Sequence, residues 1–248
     1  CNIMLTRTDA PEFANADEAL QWLNGKNVAV PKGACTDRFA RAVFEKENVE
    51  PASYLNQNIE VITSGFRAGK LDAAAIWEPT ASRLVLEGLA RRVASGASVD
   101  ENDGGFLAMR GDLIDQRPDV VKAWLNAELD AQLMMADPAN TMKIVEMAKN
   151  QTTGFESKVL WKSLAGAYPE AAGGTPERLE LAFAITPKAA ALIEKATTFL
   201  HHIKTINVDT LRDDAIRPEF ANEILAERGL TAPIGRIAAQ PDSAYQGE

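Results

Sequence analysis

The chain has 248 residues, 46% of them hydrophobic, a formal net charge of −9 and two cysteines. This is enough material for one large domain or two small ones around a sizeable core. The acidic balance argues against a nucleic-acid binder, which would need a basic face, and no apolar run approaches the roughly 20 residues of a membrane helix.

No charged-then-apolar leader opens the sequence, which fits a cytosolic or an already processed chain. Cys1 could be the first residue of a lipid-modified protein, but Asn2-Ile3-Met4-Leu5 reads as strand and not as a polar tether. Whether Cys1 and Cys35 pair stays open. A strand is expected over 3–6. Asn15 followed by Glu18 has capping-box spacing and opens a helix to about 23, closed by Asn24-Gly25. Val28-Ala29-Val30 is a short buried strand, broken by Pro31 and Gly33. An amphipathic helix then runs from about 36 to 47, with Phe39, Ala42 and Val43 on one face and Arg38, Arg41, Glu45 and Lys46 on the others.

A second strand covers 53–55. Residues 59–68 read as helix, with Ile59, Ile62 and Phe66 at helical spacing, Asn58 as N-cap and Gly69 as C′. A third strand covers 72–77, a helix follows Pro79 to Glu87, and a fourth strand covers 92–94. Strands and helices alternating over 27–95 imply a parallel sheet with right-handed crossovers. A further apolar strand is expected over 106–109. Beyond it the chain is helical by period over 119–135, 141–148, 155–164, 187–203 and 218–227. The character of residues 179–185 is undecided, and the tail from 232 reads as loop.

In an open parallel sheet, ligands sit outside the carboxyl ends of the strands. That rule selects Gly33, Ala34, Cys35 and Thr36 after the first strand of the alternating region, Asn56 and Gln57 after the second, and Trp77 and Glu78 after the third. The first group joins a tight turn to a helix start, where backbone N–H groups and the dipole suit an anion. Asn56 and Gln57 supply donors and acceptors, Trp77 a flat apolar surface, Glu78 an acceptor for an amine or hydroxyl. Each has a plainer alternative: Thr36 as a helix cap, 56–58 as turn residues, Trp77 as core, Glu78 as a first-turn carboxylate. At a helix N-terminus the Cys35 thiol pKa is expected to fall. A Cys nucleophile also wants a base, and the two histidines, His201 and His202, lie far away in sequence. As helix neighbours they point about 100° apart, so no metal site is expected, and no GxxxxGK phosphate loop occurs.

GKNVAVPKGACTDRF, followed by FRAGKLDAAAIWEPTASRL, resembles the second lobe of the substrate-binding proteins of ABC importers, in the nitrate, sulfonate and taurine group. The family pattern has a GKxVAVPxGs strand and turn, an aGxvDAA turn and strand, and WEP before the next helix. The matching stretches here are 25–33, 68–74 and 77–79, within a resemblance over 20–95. GGFLAMR and the helices after it fit a return to the first lobe.

The resemblance implies an α/β, periplasmic-binding-protein-like (type II) fold with a parallel-sheet lobe and a helix-rich C-terminal part. Lobe two is expected at 8–104. Residues 1–7 and 105–248 would be the crossover strands and helical remainder of lobe one, with most of the first part of that lobe lacking. It implies a periplasmic or cell-surface solute-binding component, acting as a monomer with a membrane permease and no cofactor. A small organic anion or zwitterion (sulfonate, taurine, nitrate or a related compound) would be held in an interlobe cleft without chemistry. Where family members carry Ser or Thr after the turn glycine, this chain has Ala34 and Cys35, leaving Thr36 and backbone amides as donors. The scaffold is also similar to that of a desulfinase and of pyrimidine-precursor synthases, an alternative in which Cys35 is the nucleophile. A regulator's sensing domain is a third reading, with no helix-turn-helix or basic patch in its favour.

Overall fold

The computed structural model describes residues 2–247. Five strands, β1 (Ile3–Arg7), β2 (Asn27–Val30), β3 (Ser53–Asn56), β4 (Ala73–Ile76) and β5 (Ala90–Ser95), form one sheet in the order β3-β2-β4-β1-β5. β2 pairs in parallel with β3 and β4. β1 runs antiparallel to both its neighbours, β4 and β5. Four strands therefore point one way, as the alternation of elements implies, and the opening strand is threaded between the last two against them.

The helices between the strands are α1 (Ala16–Gln21), α2 (Cys35–Glu47), α3 (Ile59–Arg67) and α4 (Thr80–Leu86). Asn15 and Asn58 cap α1 and α3 as expected, accepting the Glu18 and Val61 N–H groups at 2.9 Å each. The period-two rule sorts the strand residues into two layers. Met4, Val28, Val30, Ala73 and Ala75 pack with Leu20, Leu23, Phe39 and Val43 of the α1–α2 layer. Ile3, Leu5, Ala29, Ala74 and Ile76 pack with Ile62, Phe66 and Leu84 of the α3–α4 layer. Helices on both faces explain why β4 is buried along its whole length and is built mostly of alanine.

By contacts, residues 2–103, 145–176 and 239–247 form one compact unit, and 104–144 with 177–238 form another. The first contains the sheet, α8 (Ser157–Leu164) and the C-terminal segment, in which Gln240 N–H donates to the Ala165 carbonyl and Ala167 N–H to the Gln240 carbonyl, both at 2.7 Å. The second contains α5 (Gly111–Gln116), α6 (Pro118–Ala136), α9 (Pro187–His202), α10 (Glu219–Glu227) and a two-stranded ribbon of β6 (Glu177–Leu181) and β7 (Gly235–Ala238). Its core gathers Leu129, Ala184, Ala221, Ile224 and Leu225. α7 (Thr141–Gln151) crosses the division. Among the described residues, no helix is long and apolar enough to cross a membrane.

Three expectations are corrected. Residues 106–109 form no strand, and Phe106 and Leu107 are exposed; an apolar run becomes a strand only where a partner takes up its backbone hydrogen bonds. Part of the tail read as loop is β7, and the undecided stretch near 179 contributes to β6, because each completes the other's ladder. Arg38, assigned to a polar helix face, is only 6% exposed, for a reason that lies in the site.

Candidate functional site

The register puts the ends of β2, β3 and β4 along one edge. Val30 lies opposite Asn56, and Ala29 opposite Leu55 on one side and Ala74 on the other. Because β1 is antiparallel, its first residues join the same edge: Ile3 pairs with Ile76 and with Ser95. The loops holding Gly33 to Thr36, Asn56 and Gln57, and Trp77 and Glu78 therefore leave three adjacent strands.

The first loop is a turn that requires glycine. Gly33 has φ +80, a conformation that other residues adopt only at a cost. Ala34 is the N-cap of α2 and has no side-chain acceptor to offer the helix amides. A carboxylate does part of that work from inside the helix. Asp37, fully buried at the third helical position, accepts the Gly33 N–H through Oδ2 at 2.9 Å. Its Oδ1 accepts from Arg41 Nε at 2.8 Å and from the Tyr54 hydroxyl at 2.5 Å. Burial, then the hydrogen bond to Asp37, pushes the Tyr54 phenol well above its ordinary value. The loop is also tied sideways: Lys32 N–H donates to Asn56 Oδ1 at 3.1 Å, and Gln57 N–H continues the ladder to the Val30 carbonyl at 3.0 Å.

Cys35 is half-buried at the first position of α2. Its thiol pKa is pushed up, by burial first and then by the negative charge of Asp103, opposite to the expectation from the helix dipole alone. Thr36 is fully buried, and its hydroxyl has no hydrogen-bond partner. The Oε1 of Gln57 is likewise buried without a partner.

Arg38 explains why the next loop folds back. Its Nη2 donates to Asp103 Oδ2 at 3.1 Å, and its Nε lies 3.3 Å from Glu101 Oε2. Asn2 Nδ2 donates to the Glu101 carbonyl at 2.6 Å, and Glu101 N–H to the Gly96 carbonyl at 2.7 Å. A Cβ at residue 96 would lie 2.3 Å from the Glu101 oxygen, so only glycine permits this closure. On the third loop, Trp77 and Glu78 are half-buried. Glu78 Oε2 accepts the Ser82 N–H at 2.9 Å and so caps α4, while Ser82 Oγ meets the Tyr168 hydroxyl at 3.0 Å. The Glu78–Pro79 peptide is cis.

All eight residues singled out from sequence thus sit on one edge of the sheet. The Lys32–Asn56 and Gln57–Val30 bonds tie the first two loops together; Trp77 and Glu78 belong to the neighbouring strand end. Asp37, Arg38, Tyr54, Glu101 and Asp103 were not among the site residues read from the sequence. Asp37 had a signal, a carboxylate three residues after the N-cap; the other four are brought in by long-range pairing. His201 and His202 are exposed at the end of α9. Among the described residues, no group of three or more potential ligands could hold a metal ion.

Residues 8–149 match the model of the NMT1-like family. No curated protein sequence matches the chain. Among solved structures, the periplasmic aliphatic sulphonate binding protein SsuA from Escherichia coli superposes with a TM-score of 0.67 at 16% identity, over 88% of this chain and 65% of that one. The periplasmic nitrate-binding protein NrtA from Synechocystis PCC 6803 gives 0.66 at 16% identity, over 91% and 65%. The desulfurization enzyme DszB gives 0.64 at 18% identity, over 92% and 76%. At these identities the likeness establishes the fold, α/β and periplasmic-binding-protein-like, and this chain spans about two thirds of the two binding proteins' length.

Proposed function

The chain belongs to the NMT1-like family, and from that premise we propose that it is the solute-binding component of an ABC import system. In this reading residues 8–104 are one lobe of the binding protein and supply one wall of the site. A small organic anion or zwitterion rests on the turn at Gly33, Ala34, Cys35 and Thr36, with Asn56 and Gln57 on one side and Trp77 and Glu78 on the other. The protein works in the periplasm or at the cell surface and hands its solute to a membrane permease. The observation that carries the reading is a helix N-terminus without a side-chain cap, holding a buried, unpartnered Thr36 hydroxyl between two further strand-end loops. A buried hydroxyl left unmatched costs about 1–3 kcal/mol, and a bound solute can supply the missing partner.

Thermal-shift screening of the protein against alkylsulfonates, taurine, nitrate and pyrimidines tests it. A ligand at a hundredfold excess over Kd adds about 2.7 kcal/mol of stability. The absence of any shift across the panel would remove these ligand classes.

The fold shared with DszB supports a second reading, an enzyme with Cys35 as nucleophile. The raised Cys35 thiol opposes it. Stoichiometric labelling by iodoacetamide near pH 6 would restore this reading; labelling confined to alkaline pH counts against it.

A further inference from the structure

We propose that Tyr168, well outside the residues 8–104 that carry the strand-end loops, is the positioning residue for Glu78 in the third of those loops. The inference rests on the solute-binding reading and deepens it.

The third loop leaves β4 and enters α4, a helix of only seven residues. So short a helix is held by tertiary contacts and not by its own propensity. Its N-cap residue, Pro79, supplies no side-chain cap. Glu78 does so from one residue earlier, with Oε2 accepting the Ser82 N–H at 2.9 Å. The position of Ser82 therefore sets where the Glu78 carboxylate points. Ser82 is fully buried, and its hydroxyl meets the Tyr168 hydroxyl at 3.0 Å. The next residue of α4 is tied to the same distant stretch of chain: the Arg83 guanidinium lies 5.0 Å from the centre of the Phe155 ring.

Tyr168 is itself firmly seated. Its ring carries the Arg92 guanidinium at 4.3 Å and the Lys162 ammonium at 4.4 Å from its centre, an attraction between cation and ring face that does not need the hydroxyl. Arg92 donates in addition to the Ala172 and Gly173 carbonyls, at 3.1 and 2.9 Å. Lys162 donates to the Ala167 carbonyl and to Asp242. β5, α8 and the C-terminal segment thus converge on one ring. Its hydroxyl passes that fixed position to Ser82 and on to Glu78. In the solute-binding reading Glu78 accepts from an amine or hydroxyl of the solute, and a carboxylate displaced by about 1 Å loses most of such a bond.

Amide hydrogen exchange and isothermal titration with taurine, in wild type and in Tyr168→Phe, test the role. The variant keeps the ring and its cations and removes the hydroxyl alone. Its Ser82 amide is expected to exchange about fivefold faster, and taurine to bind about fivefold more weakly, the factor that one hydrogen bond of average strength is worth. In a Glu78→Ala background the effect of Tyr168→Phe on taurine affinity is expected to vanish, because nothing is left to position. A merely structural role would weaken binding equally in both backgrounds. An unchanged Ser82 amide, an undiminished affinity, or a loss of the same size with and without Glu78 overturns the proposal. Should Tyr168→Phe fail to fold, Ser82→Ala removes the same bond from its other end and takes its place in both measurements. Should wild type or Glu78→Ala hold no taurine, the exchange measurement decides alone. Its failure strikes the role of Tyr168, whereas a wild type silent toward taurine strikes this solute from the binding reading.

Discussion

Two threonines share one chemical condition and are expected to part in function. Thr6 and Thr36 are both fully buried, each with a hydroxyl that has no partner. Thr6 lies within β1, opposite Ala73 and Arg91. Thr36 lies in the first turn of α2. Replacing either with valine removes an unmatched polar group at nearly constant volume and should stabilise by about 1 kcal/mol in chemical denaturation. Only Thr36→Val should also weaken solute binding, by about tenfold if one hydrogen bond is lost. Equal affinity in the two variants would make Thr36 an internal residue and no more. Tyr54 adds a pH signature. Its phenol is raised in the folded state, so its contribution to stability is complete below the unfolded value of about 10 and is lost as pH climbs beyond it. Wild-type stability should therefore fall more steeply above pH 10 than that of Tyr54→Phe, measured by urea unfolding across the alkaline range.

The elements around the turn were legible in the sequence because their signals are local. Asn15 and Asn58 announce helix starts, Gly33 breaks a strand, and the apolar tripeptide of β2 has room for nothing but a buried strand. Residues 106–109 and the β6–β7 ribbon were misread or left open for the opposite reason, since a ladder depends on a partner far away in the chain. Arg38 was misplaced because helical periodicity sees one helix at a time; its burial comes from Glu101 and Asp103, more than 60 residues on. The candidate site was legible as a set of strand ends, whereas its electrostatics, set by Asp37 and Asp103, were not. β4 offers a test at this scale. Ala74 is fully buried in the α3–α4 layer, and the rest of its strand is buried as well. Ala74→Leu has nowhere to expand and should cost about 1–3 kcal/mol, read as a lower urea midpoint at constant slope. A neutral result would mean that α3 and α4 yield more easily than their packing implies.

At the scale of the whole molecule, the unit that carries the site is assembled from three separate stretches of chain. Lys162 clasps the last of them: its Nζ donates to the Ala167 carbonyl at 2.7 Å and to Asp242 Oδ1 at 2.6 Å, while its side chain is nearly buried. Trp161, beside it, meets the Tyr245 ring at 5.5 Å between centroids. Lys162→Ala leaves the half-buried Ala167 carbonyl without its donor and should lower the melting temperature by about 4–8 °C. Limited proteolysis should then cut within 239–247 before it cuts elsewhere. Retention of wild-type protease resistance would show that the backbone bonds of Gln240 hold this segment unaided.

The position of β1 bears on how the protein comes into being. Its neighbours are β4 and β5, so β1 lacks its first partner until the chain has been made to Ile76 and its second until Ser95. During that interval Ile3, Met4 and Leu5, all destined for the core, travel uncovered. Pairing across such a separation is slow, and an exposed apolar strand is what holding chaperones recognise. Newborn chains should therefore depend on a holding chaperone over this segment until residue 95 has been made, when β1 closes into the slot between β4 and β5.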